Sequence, residues 1–247
     1  MLAACLQTRA LACQREENLK EALERAGAAI ESGAELLVYP ELFLSGFCYD
    51  GSREREREPY PILDPFRRLA EDTGATFIGS IMAGDMNLGF ALEQGRFATC
   101  SKIHPFGPEK EHFRGGRRIS PLESRWGKIG LEICYDLRFP EVSRSLTLQG
   151  ADMLVTIAQF PEKRIYHWKA LVVARAIENQ IHHIACNSCG GDAGGCSMIA
   201  GPSGEVLASA GSSGGIIMGE IDLAAREQAR AEIPCLLDRR PDLYNPY

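Results

Sequence analysis

Residues 127–141 read GKIGLEICYDLRFPE, and the remainder of the chain is organised around them. The first half, Ile129 to Ile133, is apolar with Gly130 and Glu132 interleaved, the pattern of a largely buried strand. The second half carries Pro140 followed by Glu141, a pair common in the first turn of a helix. Cys134 therefore falls where a strand passes into a helix. A thiol at such a junction is held by the strand, and helix N–H groups with the positive end of the dipole would favour its thiolate. The same strand–turn–helix arrangement presents the serine of other hydrolases, although the G-x-S-x-G signature is absent. Most free cysteines, by contrast, are small apolar filler. On this stretch alone the two readings of Cys134 stand level.

Upstream, the apolar spacing predicts a strand over 2–7, a helix over 16–32 with Gly33 just past its end, and a strand over 35–40 closed by Pro40. Strand, helix and strand in such short compass make a βαβ unit, hence a sheet with helices on its face. Glu41 follows at once, in VYPELFLSGF. A carboxylate in such apolar company is unfavourable unless hydrogen-bonded, and burial raises a carboxyl's pKa toward neutrality. Glu41 reads equally as a general base and as a cap beyond a strand end. Ser52 to Glu58 alternates in charge, as a solvated loop or helix face does. A helix over 65–73, a strand over 76–84 and a hairpin over 89–103 turning at Gln94–Gly95 come next. Lys102 closes that hairpin, and His104-Pro105-Phe106-Gly107-Pro108 makes the following loop rigid. A lone lysine there is otherwise an ordinary solvated residue. Glu109 and Glu111 stand beside a basic cluster with no metal-ligand spacing.

Downstream, the pattern predicts a helix over 140–149 and an apolar strand over 151–160. A long helix over 164–180 puts Ile165, Trp168, Leu171, Val172, Arg175 and Ile177 near one stripe. A strand over 181–189 follows, then a flexible loop opened by Gly190-Gly191 and Gly194-Gly195. Residues 197–210 form a hairpin turning at Pro202-Ser203-Gly204, before a strand over 216–222 and a helix over 223–233. The tail CLLDRRPDLYNPY has the proline and aromatic content of a docking segment. Repeats, linkers and composition breaks are lacking, so 1–247 is expected to be one domain. Cys186-x-x-Cys189 with Cys196 resembles a redox or zinc motif, weakly, because a second C-x-x-C is missing. The glycine pairs match no nucleotide-binding pattern.

Composition excludes more than it selects. A hydrophobic fraction of 45% and a charged fraction of 24% are those of an ordinary soluble domain. A net charge of −6 argues against nucleic-acid or acidic-membrane partners. No apolar run approaches the roughly 20 residues that span a bilayer, and the N-terminus lacks the basic region of a signal peptide. Nine cysteines in a chain with room for a full core read as reduced thiols in a cytoplasmic protein.

With Glu41, Lys102 and Cys134 all at expected strand ends, the chain resembles the nitrilase superfamily, the carbon–nitrogen hydrolases. The resemblance rests on ordered segments: YPELFLSGF, KIHPFG, GLEICYDLRFPE, HWKALVVARAIENQ, GPSGEVLA and RRPDLY. CYDLRFPE with AQFPEKRIYHW is most similar to the omega-amidase branch, and the branch acting on deaminated glutathione shares CYDLRFPE. The resemblance implies an α/β fold, a four-layer αββα sandwich, paired as a homodimer, with no metal or organic cofactor. It implies a small-molecule amide substrate cleaved through a cysteine thioester, with Glu41, Lys102 and Cys134 as a catalytic set. Glu109, seven residues before Gly116, is implied as a fourth member ahead of Glu111. Tyr135 would supply a backbone N–H to the oxyanion. Arg138 would pair with a substrate carboxylate, or with Asp136 or Glu141 in a structural ion pair. Phe160 would wall the pocket or pack in the core.

Overall fold

The computed structural model describes residues 1–49 and 55–244. Two six-stranded sheets face each other. The first runs β14(Gly215–Glu220), β1(Leu2–Gln7), β2(Leu36–Val38), β3(Thr76–Ala83), β4(Met86–Glu93), β5(Arg96–Ser101). The second runs β13(Val206–Ser209), β12(Met198–Ala200), β9(His183–Asn187), β8(Met153–Ala158), β7(Gly127–Ile133), β6(Leu122–Ser124). At the heart of each sheet three strands are parallel, β1–β2–β3 and β7–β8–β9, and antiparallel strands flank them.

Side-chain alternation explains why both faces of these strands are apolar. Ala3, Cys5, Leu36 and Val38 meet Ile129, Leu131, Ile133, Val155 and Ile157 between the sheets. Their neighbours Ala4, Leu6, Leu37 and Phe77 point the other way, onto Ala22, Ala26, Phe66 and Ala70 of α1(Arg15–Glu31) and α2(Asp64–Thr73). On the far side, Ala158, Ala185 and Met198 receive Trp168, Val172 and Ala176 of α5(Ile165–Asn179), and Leu154 receives Val142 and Leu146 of α4(Pro140–Leu148). Helix, sheet, sheet, helix gives the four-layer αββα sandwich expected. The described chain ends with α6(Ala225–Glu232) and a tail that closes in a 3-10 turn at Pro241–Leu243.

Several local expectations need correction. Ile177 leaves the buried stripe of α5 and is 48% exposed. Arg175, expected in the same stripe, is buried there because its guanidinium donates to the Leu137 carbonyl at 3.1 and 2.9 Å and to Glu178 at 3.0 Å. The glycine-rich loop folds into a two-stranded hairpin, β10(Cys189–Gly190) and β11(Ala193–Gly194), tied to the end of β1 by Cys189 N–H to Thr8 O. Of the alternating-charge stretch, residues 52–54 lie outside the described residues. Glu56 is buried rather than solvated, since it bridges Ala83 and pairs with Arg15. The thiols are not all reduced: Cys13 and Cys48 form a disulfide, and seven cysteines are free.

One buried carboxyl lies close behind the Cys134 turn. Glu132 accepts from Ser143 and lies 3.0 Å from Thr156 Oγ1, which lies 2.7 Å from His183 Nε2. His183 Nδ1 meets the Val172 carbonyl at 3.0 Å, so Nδ1 carries the proton and Nε2 accepts. One threonine hydroxyl proton cannot serve both His183 and Glu132, so Glu132 is the donor and is protonated. Burial pushes Glu132 up to about 7, against the hydrogen bond from Ser143. Stability contributed by such a raised carboxyl is complete below its unfolded value and is lost as pH rises through 7. Glu132→Gln copies the protonated form, so its Tm should gain on wild type between pH 5 and pH 8 in thermal melts. Parallel pH dependences would refute the assignment.

Candidate active site

Four chain segments end at one edge of the sandwich and bring the expected residues together. Glu41 follows β2, Lys102 follows β5, Cys134 follows β7 and Gln159 follows β8. For the parallel strands this is the carboxyl end, where α/β sheets place their ligands. Glu109 begins the single turn α3(Glu109–His112).

Lys102 sits at the centre, 1% exposed. Its Nζ donates to Glu41 Oε1 at 2.6 Å and to both oxygens of Glu109 at 2.8 and 2.7 Å. Burial alone would lower the Lys102 pKa, but Glu41, Cys134 and Glu109 together raise it, so the ammonium is permanent. Glu109 is pushed up to about 7 by burial and by the Glu41 charge, against the pull of Lys102. Gly116, the marker for choosing Glu109, has a steric reason to be glycine. A Cβ there would stand 2.8 Å from the Ser101 carbonyl, and its N–H donates to the Lys102 carbonyl at 2.7 Å.

Glu41 is fully buried and accepts two further hydrogen bonds. Asn87 Nδ2 reaches Oε1 at 2.8 Å, and the Gln159 N–H reaches Oε2 at 3.3 Å. Leu42, next in sequence, has φ +47 and donates its N–H to Ser80 Oγ at 2.9 Å, so the turn that aims Glu41 is clamped from below. Asn87 and Gln159 were not singled out in the sequence. An asparagine in a strand start carries no signal until the partner strand and the Glu41 loop are in place.

Cys134 occupies a strained backbone position, φ +52, at the head of a 3-10 turn over Cys134–Arg138. Asp136 fixes that turn to the Lys102 loop. Its carboxylate accepts N–H groups from Ile133, Ile103 and His104 at 3.2, 3.2 and 2.9 Å, and meets His104 Nδ1 at 2.9 Å. Arg175 holds the same turn from the helix side through the Leu137 carbonyl. The thiolate expected from helix N–H groups is not what the surroundings favour. Burial raises the Cys134 thiol well above its usual value and the Glu41 charge adds to this, while Lys102 pulls it down. These surroundings favour the thiol over the thiolate at rest.

Cys134 opens onto a cavity of about 300 Å³ whose wall includes Glu109, Tyr135, Gln159 and Phe160. Tyr135 packs between Phe106 and Phe139, and its N–H belongs to the first turn of the 3-10 segment, where ladder acceptors are lacking. Phe160 serves both roles weighed for it: 2% exposed, it packs on Trp168 at 5.5 Å and also lines the cavity. Arg138 pairs with neither Asp136 nor Glu141. Its guanidinium lies over the Phe160 ring at 4.9 Å and meets His167 Nδ1 at 3.3 Å, in the cavity wall. Phe47, Tyr49 and Arg164 also line the cavity and were missed, because two loop residues and one at a helix start carry no signal until the chain folds. Cys186, Cys189 and Cys196 are dispersed. Cys186 lies between the sheets, Cys189 against Gln7 O, and Cys196 under α5. Among the described residues no group of three or more His, Cys, Asp or Glu side chains could hold a metal, and no helix is long and apolar enough to cross a membrane.

Comparison with known proteins agrees with this architecture. The chain is 33% identical to a 2-oxoglutaramate amidase of Bacillus subtilis (strain 168) over 98% of both chains. It is 32% identical to a deaminated glutathione amidase of Synechocystis, over 90% of this chain and 92% of that one. The solved structure of Saccharomyces cerevisiae Nit3, a member of branch 10 of the nitrilase superfamily, superposes with a TM-score of 0.90 at 26% identity, covering 97% of this chain and 96% of that one. The carbon–nitrogen hydrolase profile matches residues 2–231, and the chain belongs to that family.

Proposed function

We propose that the protein is an omega-amidase that hydrolyses the terminal amide of small dicarboxylic ω-amides such as 2-oxoglutaramate and succinamate. The observation that carries this reading is the buried Glu41–Lys102–Glu109 cluster opening beside Cys134, in a small cavity walled by the Arg138 guanidinium, which has no acid partner among the described residues. Amide hydrolysis needs a nucleophile, a proton carrier that turns the amine into a leaving group, and positive charge for the oxyanion. Cys134 attacks the carbonyl as Glu41 takes the thiol proton. A thiol of raised pKa is poorly ionised at rest, so the base must act during attack. Lys102 and the Tyr135 N–H stabilise the oxyanion; one of the two protons Lys102 directs at Glu109 is available for this. Glu41 then passes its proton to the nitrogen and ammonia leaves. Glu41 next activates water, which opens the thioester and releases the acid. Glu109 keeps Lys102 in place.

The cavity volume stands at the lower end of the range for ligand sites, which favours a short ω-amide over the larger deaminated glutathione. One observation favours the larger substrate. A second groove of about 340 Å³, along Ala10–Ala12 and the β10–β11 hairpin, shares Phe47, Gln159 and Pro161 with the first. Ammonia release from 2-oxoglutaramate and succinamate, set against release of the peptide amine from deaminated glutathione, whose amide is secondary, separates the two. Cys134→Ala should abolish release from every amide while the melting transition stays cooperative. Glu41→Gln should do nearly the same, because it keeps the shape and loses only the proton carrier. More than a trace of activity in Cys134→Ala would remove Cys134 as nucleophile.

Asn87 acts on Glu41 rather than on substrate, as a positioning residue. Removing that donor frees the Glu41 carboxyl to turn away from the thiol. Asn87→Ala should therefore lower kcat by roughly tenfold, about one charge-assisted hydrogen bond, with KM for the amide little changed. A fall in melting temperature with kcat unchanged would mark Asn87 as structural only.

A homodimer through the α4–α5 face is part of the same proposal. Tyr166 and Ile177, three turns apart on α5, are 77% and 48% exposed, and Leu148, Leu237 and Leu243 add further apolar surface beside them. Light scattering at micromolar concentration should give twice the chain mass, and Tyr166→Glu should give the monomer; a monomeric wild type would overturn it. The seven free thiols favour a reducing, cytoplasmic setting, while the Cys13–Cys48 bridge is the one feature such a setting would reduce.

A further inference from the structure

The cavity above Cys134 holds more positive charge than its own acids balance. Among the described residues its one acidic lining residue is Glu109, whose two oxygens are both taken by Lys102. Arg138 and Arg164 line the same cavity, and neither forms an ion pair among the described residues. Arg138 comes from the 3-10 turn behind Cys134 and rests on Phe160. Arg164, the last residue before α5, lies 5.6 Å from the centre of the Phe106 ring, on the loop that follows Lys102. The two cations feel each other: burial lowers the Arg138 pKa, and the Arg164 charge is the next cause.

Two like charges facing a small, aromatic-walled space repel each other, and the repulsion is relieved by an anion between them. Their other contacts do not supply one. His167 Nδ1, which Arg138 meets, is an acceptor only while the imidazole is neutral, and aromatic faces hold a guanidinium without neutralising it. Stacking on the rings also fixes each fork in its plane, which lowers the entropy lost when a carboxylate docks. A carboxylate offers two oxygens and about four acceptor sites, enough for two forks. A 2-oxo acid adds a third oxygen beside them.

We propose that Arg164 is a specificity-determining residue that forms, with Arg138, a two-guanidinium clamp for the carboxylate end of the substrate. This rests on the reading of the substrate as the ω-amide of a dicarboxylic acid. The clamp sets which amides are accepted, and the chemistry at Cys134 proceeds without it. Arg138 anchors the anion near the reactive thiol, and Arg164 closes on it from the α5 side. The signal in the sequence is Arg164 in AQFPEKRIYHW, just before the helix that carries Trp168.

The test uses two readouts. The first is the ratio of kcat/KM for succinamate to kcat/KM for butyramide, a neutral amide of the same length. Arg164→Met should lower that ratio about ten- to a hundredfold, mostly through KM, the effect of one lost charge-assisted contact. Arg164→Lys should fall between. An equal loss on both amides would show Arg164 to be a structural brace for Phe106 and would overturn the clamp. The second readout needs no turnover: calorimetric binding of succinate, the product dicarboxylate, to Cys134→Ala protein. Adding Arg164→Met should weaken it by at least tenfold. Unchanged or undetectable succinate binding in the Arg164-containing protein would overturn the clamp. Should the wild type hydrolyse neither amide while succinate still binds in an Arg164-dependent way, the amidase reading fails and the clamp stands.

Discussion

One buried ammonium sets the geometry of the whole site. Lys102 is surrounded by protein and donates to Glu41 and Glu109 at once. A charge so placed is tolerable only if paired and fully hydrogen-bonded, and losing either partner would leave several kcal/mol uncompensated, roughly 3–5. The three segments that carry these groups are therefore not independent loops. The ends of β2 and β5 and the turn of α3 are drawn to a common point by electrostatics that the low-dielectric interior strengthens. The layers of the sandwich supply the scaffold, and the Lys102 cluster fixes how their ends meet.

Cys134 is brought to that cluster by a separate set of constraints. Its backbone lies in the left-handed region, which only a well-braced turn sustains. Asp136 gathers three main-chain N–H groups from both sides of the site, and Arg175 receives the turn at Leu137 from α5. Neither side chain reaches the cavity. Both spend buried charge on holding main chain, and this ties the position of the sulfur to that of Lys102. A shift of α5 would be felt at Leu137 before it reached Cys134.

The layers were legible in the sequence because strands buried on both faces read as apolar runs, and α1, α2 and α4 show clean periodicity. Glu41, Lys102 and Cys134 were legible because each is a reactive group directly beyond a strand, in apolar or proline-rich company. What was not legible needs the third dimension. Asn87, Gln159 and Arg164 acquire meaning from partners 46 to 118 residues distant, or from a cavity wall. Arg175 looked like one more member of a helical stripe, and only the Leu137 carbonyl explains its burial. Glu56 looked solvated because alternating charge usually is, and Arg15 overrides that rule. The Cys13–Cys48 pairing could not be chosen among nine cysteines without distances.

The protonation of Cys134 ties these observations to the chemistry. A site built to hold a thiolate would surround the sulfur with donors and positive charge. Here Lys102 is close, but its charge is largely offset by Glu41 and Glu109, and burial dominates. The cluster around Lys102 is one cation held between two carboxylates, a net negative balance that adds to burial in disfavouring the thiolate at rest. In the mechanism we propose, that balance changes when the thiol proton moves to Glu41. Glu41 would then cease to be an anion, the Lys102 charge would be less compensated, and the place where negative charge develops on the carbonyl oxygen would become more favourable. On this proposal one proton transfer both generates the nucleophile and exposes the cation that stabilises the product of its attack. Asn87 and the Gln159 N–H, bonded to opposite oxygens of Glu41, hold the carboxyl in the orientation this exchange requires.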